Sequence, residues 1–142
     1  MTTSRVFGAV LCAGATAAAV GCGGDIAPPK TYPVSGAVLV KGKAVAGVKV
    51  SLHAQFSMGT YKFTPFALTG KDGKFTVTTK TANDGAPAGD YLVTFEMLQA
   101  GSDARGQDIE VDVWKGKYAD QAKAEKVTVT TGDNVLGPFD LK

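Results

Sequence analysis

The side chains able to do covalent or acid–base chemistry are few: the chain of 142 residues has two cysteines, Cys12 and Cys22, and one histidine, His53. His53 falls on the predicted outward face of a strand. Nucleophilic catalysis with a histidine base needs a nucleophile beside it and a third group that orients the imidazole. The sequence offers no such set, so we expect a protein that is not an enzyme and carries no cofactor.

Loop aspartates are the other candidate ligands. Calcium takes six to eight oxygen ligands, and the Asp-x-Asp-x-Asp-Gly spacing that would supply them does not occur. Aspartates in turns usually accept hydrogen bonds from the nearby backbone instead. The sequence therefore predicts no metal site, and a calcium ion in one loop stays open as an alternative. The aspartates concerned are Asp72, Asp84, Asp90, Asp103, Asp108, Asp112 and Asp133.

Cys22 follows an apolar segment that is typical of an export signal. Residues 6–20 carry no charge, and Arg5 supplies the positive residue that precedes such a segment. The letters AVGC, which end at Cys22, resemble the lipobox of bacterial lipoproteins. The first lipobox position is most often leucine, and here it is alanine. The resemblance implies a lipoprotein signal peptide over residues 1–21, cleavage between Gly21 and Cys22, and a diacylglyceryl group, with palmitate as a typical further acyl chain, on Cys22.

Two alternatives to this lipid anchor remain: an ordinary signal peptide cut near Gly21, and an uncleaved anchor helix. In the preferred interpretation Cys12 leaves with the signal, so no disulfide forms.

Residues 22–32 are rich in glycine, proline and charge and are predicted to be a flexible tether. We expect the protein in the cell membrane or the outer membrane, facing the periplasm or the exterior. The absence of an aspartate at position 23 favours the outer membrane in a Gram-negative cell.

The net charge is +2, which argues against nucleic acid as a partner, because a nucleic-acid-binding domain needs a basic surface. The predicted partners are instead membrane lipid, through the acylated Cys22, and envelope proteins or polysaccharide. After residue 30 no stretch has the roughly 18 apolar residues of a membrane-spanning helix.

From residue 33 onward, apolar and polar residues alternate in short runs that are separated by turns. The clearest inward row is Tyr91, Val93, Phe95 and Met97, and the Asp-Gly pair within residues 69–74 is a strong hairpin signal. Short strands at such spacing predict one all-β domain over residues 33–142, a single antiparallel β-sandwich of seven strands, with six to eight allowed. Because proline lacks an N–H group, Pro138 is expected on an edge strand.

Three segments of this domain resemble the carboxypeptidase-regulatory-like domains, which have a transthyretin-like, immunoglobulin-like sandwich. They are the first hairpin, VSGAVLVKGKAVAGVKVSLHA, the segment ALTGKDGKFTVTT, and GAPAGDYLVTF. The ending, from KYAD to FDL, looks like that of small planctomycete lipoproteins with this domain. The resemblance implies an accessory or surface module without an assigned activity, in which a structural or adhesive role is expected.

Aromatic residues in irregular segments give a second functional hypothesis. Trp114 and Tyr118 are candidate ligand contacts, because exposed rings stack on sugars, and Tyr61 and Phe63 lie in a comparable loop. The alternative is that these rings plug the ends of the sandwich, where aromatic side chains bury large areas. A carbohydrate-binding or small-molecule-binding module is therefore the alternative to a structural or adhesive one.

Overall fold

The computed structural model describes residues 27–142. The predicted signal peptide, the cleavage site at Gly21 and the lipidation site at Cys22 lie outside the described residues. Within them, no helix has the length and hydropathy needed to cross a membrane. In chain order the elements are β1 (Thr31–Tyr32), β2 (Val34–Val40), β3 (Lys43–Ala44), β4 (Val48–Ala54), β5 (Phe66–Leu68), β6 (Lys74–Thr76), β7 (Ala86–Pro87), β8 (Gly89–Ser102), β9 (Asp108–Asp112), a 3₁₀ turn (Gln121–Lys123), β10 (Glu125–Val129) and β11 (Asn134–Leu141).

Two larger sheets contain most of these strands. The first has the order β10-β8-β4-β5, and β9 pairs with the far end of β8. The second has the order β11-β2-β3, and β6 also pairs with β2. The short strands β1 and β7 form a separate antiparallel pair.

The apolar faces of the two larger sheets share one core. The ring of Phe95, on β8, lies 5.2 Å from the ring of Phe139, on β11, and Phe139 also stacks with Phe75 on β6. Valines from both sheets fill the space between, among them Val38 and Val50, which are fully buried. The described residues thus form a β-sandwich-like, all-β fold, as the alternating pattern predicted.

The inward row predicted on β8 is confirmed. Tyr91, Val93 and Phe95 are buried, and Met97 is half-buried at the point where β8 begins to extend past β4. Side chains on a strand alternate between faces, so Leu92, Thr94, Glu96 and Leu98 point to the other side.

Gly36 shows how tightly the second sheet is packed. It lies opposite Phe75 in the β2–β6 register, on the inward side of the sheet. A Cβ atom at Gly36 would come within 2.5 Å of the Phe75 ring and 2.6 Å of the Leu136 carbonyl oxygen. A residue without a side chain is therefore required for the Phe75 ring to occupy this part of the core.

The strand inventory differs from the prediction in three respects. Eleven strands occur among the described residues instead of about seven, because three of them are only two residues long. The sheets are not wholly antiparallel: β11 pairs with β2 in parallel, with Asn134 beside Val34, because the chain enters both strands from the same end. Thr31 and Tyr32, which the prediction placed in the tether, form β1 and pair with β7.

The turn predicted at the Asp-Gly pair is present, but the strands on its two sides belong to different sheets, and a single antiparallel bridge, between Phe66 and Thr78, pairs the chain across it in the described residues. Gly70 and Lys74 close it with a backbone hydrogen bond of 2.8 Å, and Gly73 has a φ of 72°. Before it, β5 pairs with β4; after it, β6 pairs with β2. The edge position predicted for Pro138 is confirmed, since β2 is the sole strand partner of β11 among the described residues.

Replacing Tyr91 with phenylalanine should lower the free energy of unfolding by about 1–2 kcal/mol, because it leaves the buried carbonyl group of Pro87 without its hydrogen-bond donor. The Tyr91 hydroxyl donates to the Pro87 carbonyl oxygen at 2.7 Å, in a fully buried position. Tyr32→Phe is the matched control, since the Tyr32 ring is half-buried and its hydroxyl has no hydrogen bond to the rest of the described chain. Urea unfolding of the two variants should show a lower midpoint for Tyr91→Phe only; equal midpoints would contradict the assignment.

Candidate functional site

The segment that carries Trp114 and Tyr118 is an excursion between β9 and β10. Val113 donates its N–H to the Met97 carbonyl at 2.9 Å, and Phe95 donates to the Tyr118 carbonyl at 3.0 Å. Because β10 pairs with the first residues of β8, the chain from β9 to β10 runs back along one edge of β8. Residues 114–124 form a loop that leaves this edge of β8 and lies beside the core.

Trp114 and Tyr118 contact each other and do not form a flat platform. Their rings meet edge to face, with centroids 5.1 Å apart and planes at 85°. Both are half-buried and pack against the core. The two candidate ligand contacts thus pack against each other, and this geometry favours the interpretation that the rings plug the end of the sandwich over one in which a ring face lies open to a sugar.

Asp112 holds the start of this excursion in place. Its Oδ1 accepts the N–H groups of Met97 and Trp114 at 3.0 and 3.1 Å, and its Oδ2 accepts that of Gly116 at 2.7 Å. Burial by itself raises the pKa of Asp112, but the three hydrogen bonds to the charged form outweigh it and hold that pKa below the ordinary value. The Asp112 carboxylate therefore joins β8, Trp114 and the following turn.

A small cavity of about 350 Å³ lies next to Tyr118. Its floor is apolar, formed by Val93, Phe95 and Leu141, and its rim is charged. The Lys142 carbonyl oxygen accepts hydrogen bonds from the Lys117 ammonium group, at 2.6 Å, and from the Tyr118 hydroxyl. The rim residues are Lys117, Asp120, Lys123 and Glu125.

A second, more open groove of about 450 Å³ contains the loop aromatics and His53. The rings of Tyr61 and Phe63 stack with centroids 5.4 Å apart, and the Lys80 ammonium group lies 6.0 Å from the Phe63 ring centre. The His53 ring shares a hydrogen bond of 2.8 Å between its Nε2 and Thr94 Oγ1. Burial lowers the pKa of His53, and the negative charge of Glu96 offsets part of that effect.

An exposed apolar row that the sequence did not predict runs along β9 and continues to the residue that follows it. Ile109, Val111 and Val113 are 41%, 43% and 45% exposed. The alternation in this stretch indicates a strand with one apolar face, and such a face is expected in a core. Here β9 pairs with the part of β8 that extends past β4, so the second sheet does not cover it. The alternating acids Asp108, Glu110 and Asp112 indicate that one face of this strand meets water, but no sequence signal showed that the apolar face is exposed as well.

Another apolar patch lies on the outer face of the first sheet. Phe66 and Leu68 are exposed while Ala67 between them is buried, so the larger side chains of β5 point outward. They line a shallow depression of about 420 Å³ together with Leu98, between the charges of Lys49 and Glu110. Lys49 also forms an ion pair of 3.8 Å with Glu96.

The loop aspartates serve backbone geometry in several turns. Asp84 accepts the N–H groups of Thr79, Lys80 and Thr81 at 2.6–3.1 Å, and Asp103 accepts two N–H groups in the β8–β9 loop. Burial by itself raises the pKa of Asp84, but these hydrogen bonds and the charge of Lys80 bring it below the ordinary value. Over residues 27–142, no group of three or more His, Cys, Asp or Glu side chains is placed to hold a metal ion.

Comparison with known proteins finds no family model and no curated protein that matches this chain.

Proposed function

We propose that this protein is a lipid-anchored, non-catalytic interaction module of the bacterial cell envelope, with a structural or adhesive role. The observation that carries the interaction role is β9, a strand with exposed side chains on both faces and β8 as its one strand partner in the described chain. A strand of this kind is a surface that another polypeptide can extend. A transthyretin-like, carboxypeptidase-regulatory-like domain over residues 33–142 is part of the same proposal.

The anchoring half of the proposal depends on Cys22 and the apolar segment before it. Acyl chains contribute about 0.8 kcal/mol per buried methylene group, and two or more chains give stable attachment to a bilayer. The short tether, which contains glycine and proline, lets the domain stand off from the lipid surface. The domain would then face the periplasm or the exterior, with its interaction strand accessible to envelope proteins or polysaccharide.

Non-catalytic use is supported by the surroundings of His53. The chain has one histidine, and its Nε2 is engaged with the Thr94 hydroxyl. General-base chemistry needs that nitrogen beside a nucleophile, with the other ring nitrogen held by an orienting group. Thr94 lies on the same outward face of the first sheet, paired with Ser51 in the β4–β8 register.

Membrane fractionation of cells that express the full chain tests the anchor. Wild type and Cys12→Ser should sediment with membranes and be released by detergent, because Cys12 leaves with the signal. Cys22→Ser should lose most of that association and appear in the soluble fraction or remain unprocessed. Equal membrane association of Cys22→Ser and wild type, with normal processing of both, would overturn the lipid anchor.

The groove beside Tyr61 and Phe63 favours a second candidate function, carbohydrate or small-molecule binding. Its volume of about 450 Å³ is in the range of small-ligand sites, and its stacked rings and nearby Lys80 offer apolar and charged contacts. A glycan array probed with the full-length protein tests this function. Saturable binding that Phe63→Ala abolishes and Trp114→Ala leaves unchanged would support it, and the absence of any bound glycan would count against it.

A further inference from the structure

The direction of the backbone groups along β9 follows from the hydrogen bonds at its two ends. Asp103 donates to the Gln107 carbonyl at 2.9 Å, and Val113 donates to the Met97 carbonyl at 2.9 Å. In an antiparallel pair, hydrogen-bonded residues alternate with residues whose N–H and C=O groups point away. Ile109 and Val111 therefore bond to β8, and the backbone groups of Asp108 and Glu110 are directed to the open edge.

The two faces of β9 differ sharply in chemistry. Ile109 and Val111 lie on one face, and Gly101 on β8 leaves room beside them, since a Cβ there would lie 2.8 Å from a Val111 methyl carbon. Asp108 and Glu110 lie on the opposite face, both exposed. Neither carboxylate forms an ion pair with any of the described residues. An added strand would thus meet an apolar row on one side and two unneutralised charges on the other.

A second copy of the chain does not fit this edge. If two β9 strands paired antiparallel about Glu110, that residue would face its own copy and Asp108 would face Asp112. A parallel, in-register pair also brings like residues together. Like charges directly opposite each other on neighbouring strands are destabilising, and charged edges are a known protection against self-association. The charge pattern instead complements a strand of opposite sign.

We propose that the open edge of β9 binds an extended segment of another polypeptide in which lysine or arginine alternates with apolar residues. This inference rests on the proposed role as an interaction module and specifies its partner. The backbone groups of Asp108 and Glu110 pair with the segment, its cations lie beside the two carboxylates, and its apolar residues lie beside Ile109 and Val111. Main-chain hydrogen bonds supply affinity in such strand addition, and the alternating side chains supply specificity.

The test uses the full-length protein in detergent and a nine-residue peptide of alternating lysine and valine with both ends blocked. A peptide with glutamate in place of lysine is the probe control. Titration calorimetry or fluorescence anisotropy should show saturable binding of the lysine peptide, at least about tenfold tighter than the glutamate peptide. Affinity should fall as salt rises, because exposed charges are screened.

Glu110→Pro isolates the contribution of the edge. The Glu110 N–H points away from β8, so proline removes a hydrogen bond to the bound peptide but none to β8. Glu110→Pro should weaken binding at least about tenfold, and Glu110→Gln, which keeps the N–H, about threefold to tenfold. Glu125→Gln removes the same charge from a different edge strand, β10, and should bind like wild type. Circular dichroism and thermal melting verify that each variant is folded.

Any of three results would overturn the inference: no saturable binding of the lysine peptide, equal binding of the glutamate peptide, or wild-type affinity in folded Glu110→Pro. A dimer of the full-length protein that Glu110→Pro dissociates would also overturn it, in favour of a second copy. The peptide experiment does not depend on acylation, and the Cys22→Ser fractionation does not depend on β9. The strand-binding proposal and the lipid-anchor proposal are therefore tested independently of each other.

Discussion

Gly85→Ala is expected to destabilise the protein by about 4 kcal/mol, at the upper end of single-residue effects. Gly85 has a φ of 80°, and a Cβ atom there would lie 1.7 Å from the Tyr32 carbonyl oxygen and 2.9 Å from Pro33 Cα. Both obstacles are backbone atoms, so no side-chain rotation relieves the clash. Gly85 also donates its N–H to the Val77 carbonyl at 2.9 Å, and that hydrogen bond would be strained when the chain moves away.

The matched control is Gly106→Ala in the β8–β9 loop. Gly106 has a similar φ of 77°, and a Cβ atom at this position would have no other atom within 4 Å among the described residues. This variant carries the cost of a left-handed backbone alone, about 1–2 kcal/mol. Chemical unfolding of both variants should separate them by at least about 2 kcal/mol. Equal stabilities would show that β1 does not pack against Gly85 as described.

Asp112→Ala is expected to lower the free energy of unfolding by about 2–3 kcal/mol, because three backbone N–H groups lose a charged acceptor. They belong to Met97, Trp114 and Gly116. Asp108→Ala is the control: it removes the same charge from the other end of β9, where the side chain is exposed, and should change stability by less than about 0.5 kcal/mol. Urea unfolding of the two variants measures the difference.

The same carboxylate gives stability a defined dependence on pH. The pKa of Asp112 is lowered in the native state, whereas the pKa of an aspartate in the unfolded chain is about 3.9. Its contribution is therefore present above about pH 4 and is lost as pH falls through the native pKa. Asp84 acts in the same direction. Between pH 6 and pH 2 the wild type should lose more stability than Asp112→Ala, and identical losses would contradict the assignment.

The sequence predicts the core face of β8 well because the inward positions of this strand are large and apolar. Tyr91, Val93 and Phe95 recur at every second residue, and a strand is the conformation that places them on one face. The Asp-Gly turn and the edge position of Pro138 were predictable for a similar reason, since each depends on the backbone properties of one or two residues.

What the sequence did not predict depends on distant pairing. The parallel partnership of β2 and β11 is set by how the chain crosses between sheets, which no local pattern records. In β5 the orientation is the opposite of the one that hydrophobicity predicts: the small Ala67 faces the core, and the larger Phe66 and Leu68 face outward. Local alternation fixes which residues share a face but not which face is covered.

The candidate sites divide in the same way. Trp114 and Tyr118 are candidate ligand contacts from the sequence alone, whereas their edge-to-face contact with each other is a product of the segment that Asp112 anchors. The exposed row on β9 was missed because IEVDVW has the pattern of a half-buried strand. Its exposure follows from the length of β8, 14 residues, which carries β9 beyond the second sheet.

The most direct test of the envelope-anchored account is the intact mass of the native full-length protein after purification from membranes in detergent. The account predicts a chain that begins at Cys22 and carries the added mass of a diacylglyceryl group, with or without a further acyl chain. Base hydrolysis should remove the ester-linked acyl chains and leave a glyceryl group on the sulfur. A mature chain with an unmodified Cys22 thiol would contradict the account.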